Sequence, residues 1–148
     1  MVGYAYISGD VANHAFRTAA NRPINPATDD LGTLAGTWAS FGLGINASGQ
    51  VVGYALTSDN AATLPFLYSG GVIYDLNNLI PVRSGWDLIV AYGINYAGQI
   101  AGIGTHNGLD RPFLLTPAQS KEQCKKGGWK NFGFKNQGQC IQFVNTGK

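Results

Sequence analysis

The chain has 148 residues, of which only 12% are charged while 21 are glycine, a balance that argues for turn-rich β structure and against a helical bundle. Its formal net charge of +2 conceals a division at Pro117: residues 1–117 carry four Arg, no Lys and seven Asp, a net −3, whereas residues 118–148 carry six Lys and one Glu, a net +5. Six lysines without an arginine lack the bidentate donor favoured for phosphate and guanine, so nucleic acid is not the expected partner, and no run approaches the ~20 apolar residues that span a bilayer.

From the first residues onward the chain repeats itself every 49 to 50 positions. Val2-Gly3-Tyr4-Ala5 returns as Val52-Gly53-Tyr54-Ala55 and, loosened, as Ala101-Gly102-Ile103-Gly104; His14-Ala15-Phe16 is followed in phase by Leu64-Pro65-Phe66 and Arg111-Pro112-Phe113. Gly44-Ile45-Asn46-Ala47-Ser48-Gly49-Gln50 returns as Gly93-Ile94-Asn95-Tyr96-Ala97-Gly98-Gln99. A fixed period of this size points to a stacked array of equivalent supersecondary units. Met1 falls where Val51 and Ile100 stand, in mid-repeat and with no signal-peptide pattern, so the expectation is a C-terminal piece of a longer protein.

The complete unit, roughly 38–86, reads as four strands. Trp38–Ile45 turns at Asn46-Ala47-Ser48-Gly49 into Gln50–Thr57; after the polar connection 58–63, Leu64–Tyr68 turns at Ser69-Gly70-Gly71 into Val72–Leu76. The next unit places strands at Leu88–Ile94, Gln99–Thr105 and Arg111–Leu115, and the first unit holds the last three strands of its set. The strand after each Gly-Gln turn is apolar at successive positions, as in Val51, Val52, Gly53, Tyr54 and Ala55, so it is expected to be covered on both faces. With no helices to cover it, sheets stack on sheets. The predicted fold is all-β: a partial β-propeller of about 2.5 stacked, four-stranded antiparallel blades over 1–117, with a β-sandwich as the alternative. Open blade edges favour self-association.

Residues 118–148 form a small C-terminal appendage. Ser120 with Gln123 has the form of a capping box, and Lys125, Lys126 and Gly127 suit a helix end, which predicts one short helix. Asn136-Gln137-Gly138 reads as a turn, and Gln139–Asn145 as a strand.

These repeats resemble the HAF family, an extracellular bacterial repeat family named for its His-Ala-Phe triplet. The resemblance rests on His14-Ala15-Phe16, on Asp30-Leu31-Gly32-Thr33-Leu34-Ala35-Gly36, and on Gly44-Ile45-Asn46 with Gly49-Gln50-Val51-Val52-Gly53-Tyr54, and it covers residues 2–117. Only the Phe of the triplet persists in the later repeats. The resemblance implies a secreted or cell-surface protein of propeller-like build and brings no activity with it. The segment from Cys124 to Cys140 looks like a cysteine-bounded C-terminal motif found on secreted bacterial proteins. In an exported protein two cysteines are expected to pair, closing a loop worth about 3 kcal/mol on a chain-entropy argument. Zinc needs four ligands, which Cys124 and Cys140 with the distant His14 and His106 do not supply.

No nucleophile-base set or cofactor motif stands out, so neither catalysis nor a cofactor is expected. Asp10, Asp59 and Asp110 recur in successive connections and are candidates for one rim that contacts a ligand; solvated turn aspartates explain them equally well. Trp38 and Trp86, at nearly equivalent positions, would offer with Tyr92 or Tyr96 a stacking platform for sugar rings, although repeated aromatics more simply fill repeated cavities. Asp29, Asp30, Asp75 and Asp87 form no clearer set. Asn46-Ala47-Ser48 matches a glycosylation sequon but already serves as a turn. The functional expectation is a non-catalytic extracellular scaffold or binding module whose loops present the contact surface to a glycan or protein. The alternative is a fragment of a carbohydrate-active propeller, either a lectin or a glycoside hydrolase or lyase with converging carboxylates.

Overall fold

The computed structural model describes residues 1–7, 9, 12–118, 121–127 and 135–146, with positions 143–146 described by backbone alone. Three antiparallel sheets follow one another along the chain. The first pairs β1 (Val2–Tyr6) with β2 (Asn13–Arg17). The second runs β3 (Thr37–Ile45), β4 (Val51–Thr57), β5 (Thr63–Ser69) and β6 (Val72–Asp75), and the third β7 (Trp86–Ile94), β8 (Ile100–His106) and β9 (Leu109–Leu115). The complete unit is four-stranded and the last is three-stranded, as the repeat predicts. The first unit was expected to hold three strands; it holds two, and its third is reduced to a single bridge between Phe16 and Asp30. The reason lies in the connection, where Pro23 and Pro26 cannot donate to a ladder and a one-turn helix α1 (Pro26–Asp29) is capped by Asn25, whose side chain accepts from Ala27 N.

Each sheet places its repeat motifs in one register. Gly3, Gly53 and Gly102 lie directly opposite Phe16, Phe66 and Phe113. The need for glycine comes from the strand on the other side: a Cβ on Gly53 would overlap the carbonyl oxygen of Phe41, and one on Gly102 would overlap that of Val90. Phe41 and Val90 precede the register shifts between Gly42 and Gly44 and between Ala91 and Gly93. The bulge presses the first strand against the second, so only a residue without a side chain fits there.

The turns between first and second strands are also built alike. In one, Asn46 Oδ1 accepts from Gln50 N at 3.0 Å while Asn46 Nδ2 donates to Gln50 Oε1 at 2.7 Å; Asn95 and Gln99 repeat both bonds at 2.9 and 2.8 Å. Gly49 and Gly98 close these turns at φ 75° and 76°, where L side chains are strained. Gln50 Nε2 reaches on to Ser69 Oγ and Gln99 Nε2 to Thr116 Oγ1, so each motif pins three strands. Asn46 Nδ2 also donates to Asn95 O, 49 residues on. With both amide hydrogens engaged, Asn46 is held as a structural pin, which accounts for its sequon-like context.

Sheet stacks on sheet, and the switch occurs between two neighbouring residues. Val51 is fully buried toward the first sheet, in a core with Ala15, Leu31, Leu34, Ala55 and Phe66; Val52 is fully buried on the opposite face, with Leu67, Leu76, Leu88, Ala91, Ile100 and Phe113. The two-sided apolar pattern of β4 is thus explained by cover on both faces. At the leading edges the sheets approach closely: a Cβ on Gly42 would stand 2.9 Å from Gly3 O, and one on Gly44 2.9 Å from Gly93 Cα. Farther out, leucines fill the space. Asp30-Leu31-Gly32-Thr33-Leu34 and Asp75-Leu76-Asn77-Asn78-Leu79 are structural equivalents that cross from one sheet to the next. Asp30 and Asp75 each accept through Oδ1 from the backbone N two residues on, at 2.7 and 2.9 Å, and Leu31 with Leu34, like Leu76 with Leu79, packs into the core between sheets.

In the appendage, α2 (Lys121–Cys124) and α3 (Gln137–Thr146) are helical. Ser120, the expected cap, lies outside the described residues, while Lys126 and Gly127 take positive φ, as a helix end requires. The strand expected over Gln139–Asn145 is corrected to α3. Asn136 Oδ1 accepts from Gln139 N at 2.9 Å, so the apparent turn is a helix N-cap, and Gln139 Oε1 reaches back past the cap to accept from Lys135 N at 3.1 Å. Cys140 then lies one turn into α3 and is disulfide-bonded to Cys124. Both are fully buried, together with Ala118.

Candidate functional site

The first strands of the three sheets, with β4 behind them, gather an aromatic cluster. Tyr4 and Tyr54 occupy the same repeat position on β1 and β4. The Tyr4 ring meets Phe41 of β3 edge-on at 4.7 Å, and Phe41 stacks on Tyr54 at 4.9 Å with 15° between planes. Burial first, then the phenols of Tyr4 and, on β7, Tyr92, raise the Tyr54 hydroxyl above the ordinary tyrosine value. Tyr54 is half-buried, whereas Tyr4 and Tyr92 are 53% and 52% exposed. The arrangement offers an apolar ring surface with hydroxyls at its margin, suited to a ligand with one apolar and one polar face.

Trp38 and Trp86 do not form the platform their spacing implied. Trp86 lies opposite His106, stacks on its ring at 4.8 Å and meets Phe113 edge-on at 6.3 Å. In the second sheet the position opposite the equivalent of His106 is Thr37, paired with Thr57, and Trp38 is the extra residue of the bulge between Thr37 and Ala39. Its indole Nε1 donates to Asn60 Oδ1 at 2.9 Å. One Trp fills core and the other braces a loop.

The recurring aspartates are likewise dispersed in role. Asp10 lies outside the described residues. Asp59 accepts through Oδ1 from Thr57 Oγ1 at 2.6 Å and from Ala61 N at 3.0 Å, bonds that hold its carboxyl below the ordinary range. That is the opposite of what a general acid needs. Asp110 is not in a connection as expected but within β9, opposite Thr105, because the third repeat shortens this loop to Asn107-Gly108. Among the other carboxylates, Asp29 accepts from Asn25 N at 2.9 Å and is lowered by that bond. Asp75 is raised by burial, opposed by the Asn77 N–H bond and reinforced by Asp87.

A second feature opens on the outer face of the first sheet. His14 Nδ1 lies 3.0 Å from both carboxylate oxygens of Asp30 beside an open cleft of about 660 Å³ bordered by Ala5, Tyr6, Phe16, Ile24 and Pro26. Leu64 and Arg111 replace His14 in the other repeats, so among the described sheets the pair is particular to the first. Among the described residues no group of three His, Cys, Asp or Glu side chains is placed to hold a metal ion, and no helix is long and apolar enough to cross a membrane.

The tyrosine cluster was half legible: Tyr4 and Tyr54 recur in register, and Tyr92 stood among the candidates, but nothing in the sequence placed Phe41 between them. No protein-family model, curated protein or solved structure matches the chain.

Proposed function

We propose that this chain is a non-catalytic, extracellular binding module of the HAF-repeat kind, its residues 1–117 forming about 2.5 blades of a β-propeller. The close approach of the sheets at Gly42 and Gly44, against leucine-filled space farther out, supports a wedge-shaped unit of the sort that stacks around an axis. The Cys124–Cys140 disulfide is compatible with an oxidising compartment.

The observation that supports the binding role is the exposed ring of Tyr4 against the Phe41–Tyr54 stack, with the half-exposed Tyr92 of β7 close enough to act on the Tyr54 hydroxyl. The ligand favoured by this surface is a glycan, whose sugar rings present an apolar C–H face to an aromatic ring and hydroxyls to the phenols around it. The experiment is titration with a panel of linear oligosaccharides, covering β-linked glucose, N-acetylglucosamine and mannose units, read by amide chemical shifts. Binding is expected to perturb β1, β3 and β7 around Tyr4 and Tyr92. Tyr92→Ala should lose tenfold or more in affinity, about 1.4 kcal/mol, with unchanged thermal stability, while Trp38→Ala keeps affinity. Absence of binding across the panel, or affinity lost through Trp38 instead, contradicts the proposal.

A further inference from the structure

Equivalent faces of the second and third sheets differ in their cover. In the second sheet, Val52, Pro65 and Leu67 form the face turned toward the third sheet, and all three are buried. Their equivalents in the third sheet are Ala101, Pro112 and Leu114, matched by the same pairing with Gly53 and Gly102 as reference. These three are exposed, Leu114 at 64%, and Ile103 beside them at 42%. The same apolar positions are thus core in one unit and surface in the next.

What covers this face in the second sheet is the opposite, leading face of another unit of the same repeat. Within the described chain the leading faces of the second and third sheets are occupied. The leading face of the first is open, as the cleft bordered by Ala5, Phe16 and Ile24. We infer that the exposed face of β8 and β9 docks a second copy of this chain, which offers the leading face of its β1–β2 sheet, continuing between molecules the sheet-on-sheet interface that operates within one. The contact is heterologous, head to tail, so a dimer retains one free face of each kind and association extends to a closed ring or an open chain.

Complementation tests this. Leu114→Glu blocks one face and Ile24→Glu, at a loop residue 41% exposed, blocks the other. Both positions are exposed enough that folding should be kept, which circular dichroism and the melting temperature check. By light scattering over micromolar to millimolar concentration, the wild-type chain should show a mass rising with concentration, and each variant alone should be monomeric. An equimolar mixture should form a dimer and nothing larger, since one Leu114 face and one Ile24 face remain. A wild-type chain monomeric throughout, or folded variants whose mixture stays monomeric, overturns the inference. So does an Ile24→Glu variant that dimerises by itself, because it would mean a symmetric contact through β9.

Discussion

Gly53→Ala is expected to destabilise the protein by about 3 kcal/mol or more, the upper range for a forced overlap in a packed interior. The added Cβ meets the Phe41 carbonyl oxygen, which belongs to backbone fixed by the bulge on β3, and the Phe66 ring lies 3.1 Å away on the other side. The carbonyl cannot retreat without disturbing the β3–β4 ladder, and the ring is fully buried. Gly102→Ala should behave alike, since its Cβ overlaps the Val90 carbonyl oxygen and the Phe113 ring. Gly3→Ala is the internal control. Among the described residues its sheet has no strand on that side of β1, and the new Cβ meets only the tip of the Phe16 ring, at 3.0 Å, so a cost of about 1 kcal/mol or less is expected as the ring shifts. Urea unfolding midpoints of the three variants check the order. Three equal losses would mean that ring packing, and not the bulged carbonyl, demands glycine.

The second large effect is at Phe66. It is fully buried between the first and second sheets, over Gly53 and against Val51, Ala55, Ala15 and Leu31. Phe66→Ala should cost about 3–5 kcal/mol, the transfer of a large ring plus the cavity it leaves. The loss should appear in the cooperative unfolding of the whole stack, because the residue ties two sheets. A loss near 1 kcal/mol, or an unfolding transition split in two, would show that the first sheet is not integral to the core.

The sequence period located the three units, the hairpin turns and most strand boundaries, because the Asn-x-x-Gly-Gln turn and the Gly opposite Phe are demanded by local geometry wherever they occur. Contacts made once were harder to read. The bulges that make Gly53 and Gly102 obligatory arise from Phe41 and Val90, which share no residue type. A separate bulge between Thr37 and Ala39 moved Trp38 out of register with Trp86, a displacement that the 48-residue spacing concealed. The equivalence of Leu31-Gly32-Thr33-Leu34 with Leu76-Asn77-Asn78-Leu79 was hidden by its two middle residues. In the appendage, Asn136 and Gln139 were misread because one set of polar residues suits both a turn and a helix cap. The tyrosine cluster joins residues from four strands, and no local pattern reports such a meeting.

Sequential sheets stack face to face, so that adjacent residues of β4 enter different cores. Methyl-resolved nuclear Overhauser spectroscopy measures this directly. Val51 methyls should show contacts to Ala15, Leu31 and Leu34 and none to Leu88 or Ile100, while Val52 methyls show contacts to Leu88, Ala91 and Ile100 and none to Ala15 or Leu34. Contacts from both valines to a single set, or from Val52 to neither, would contradict the stacked arrangement.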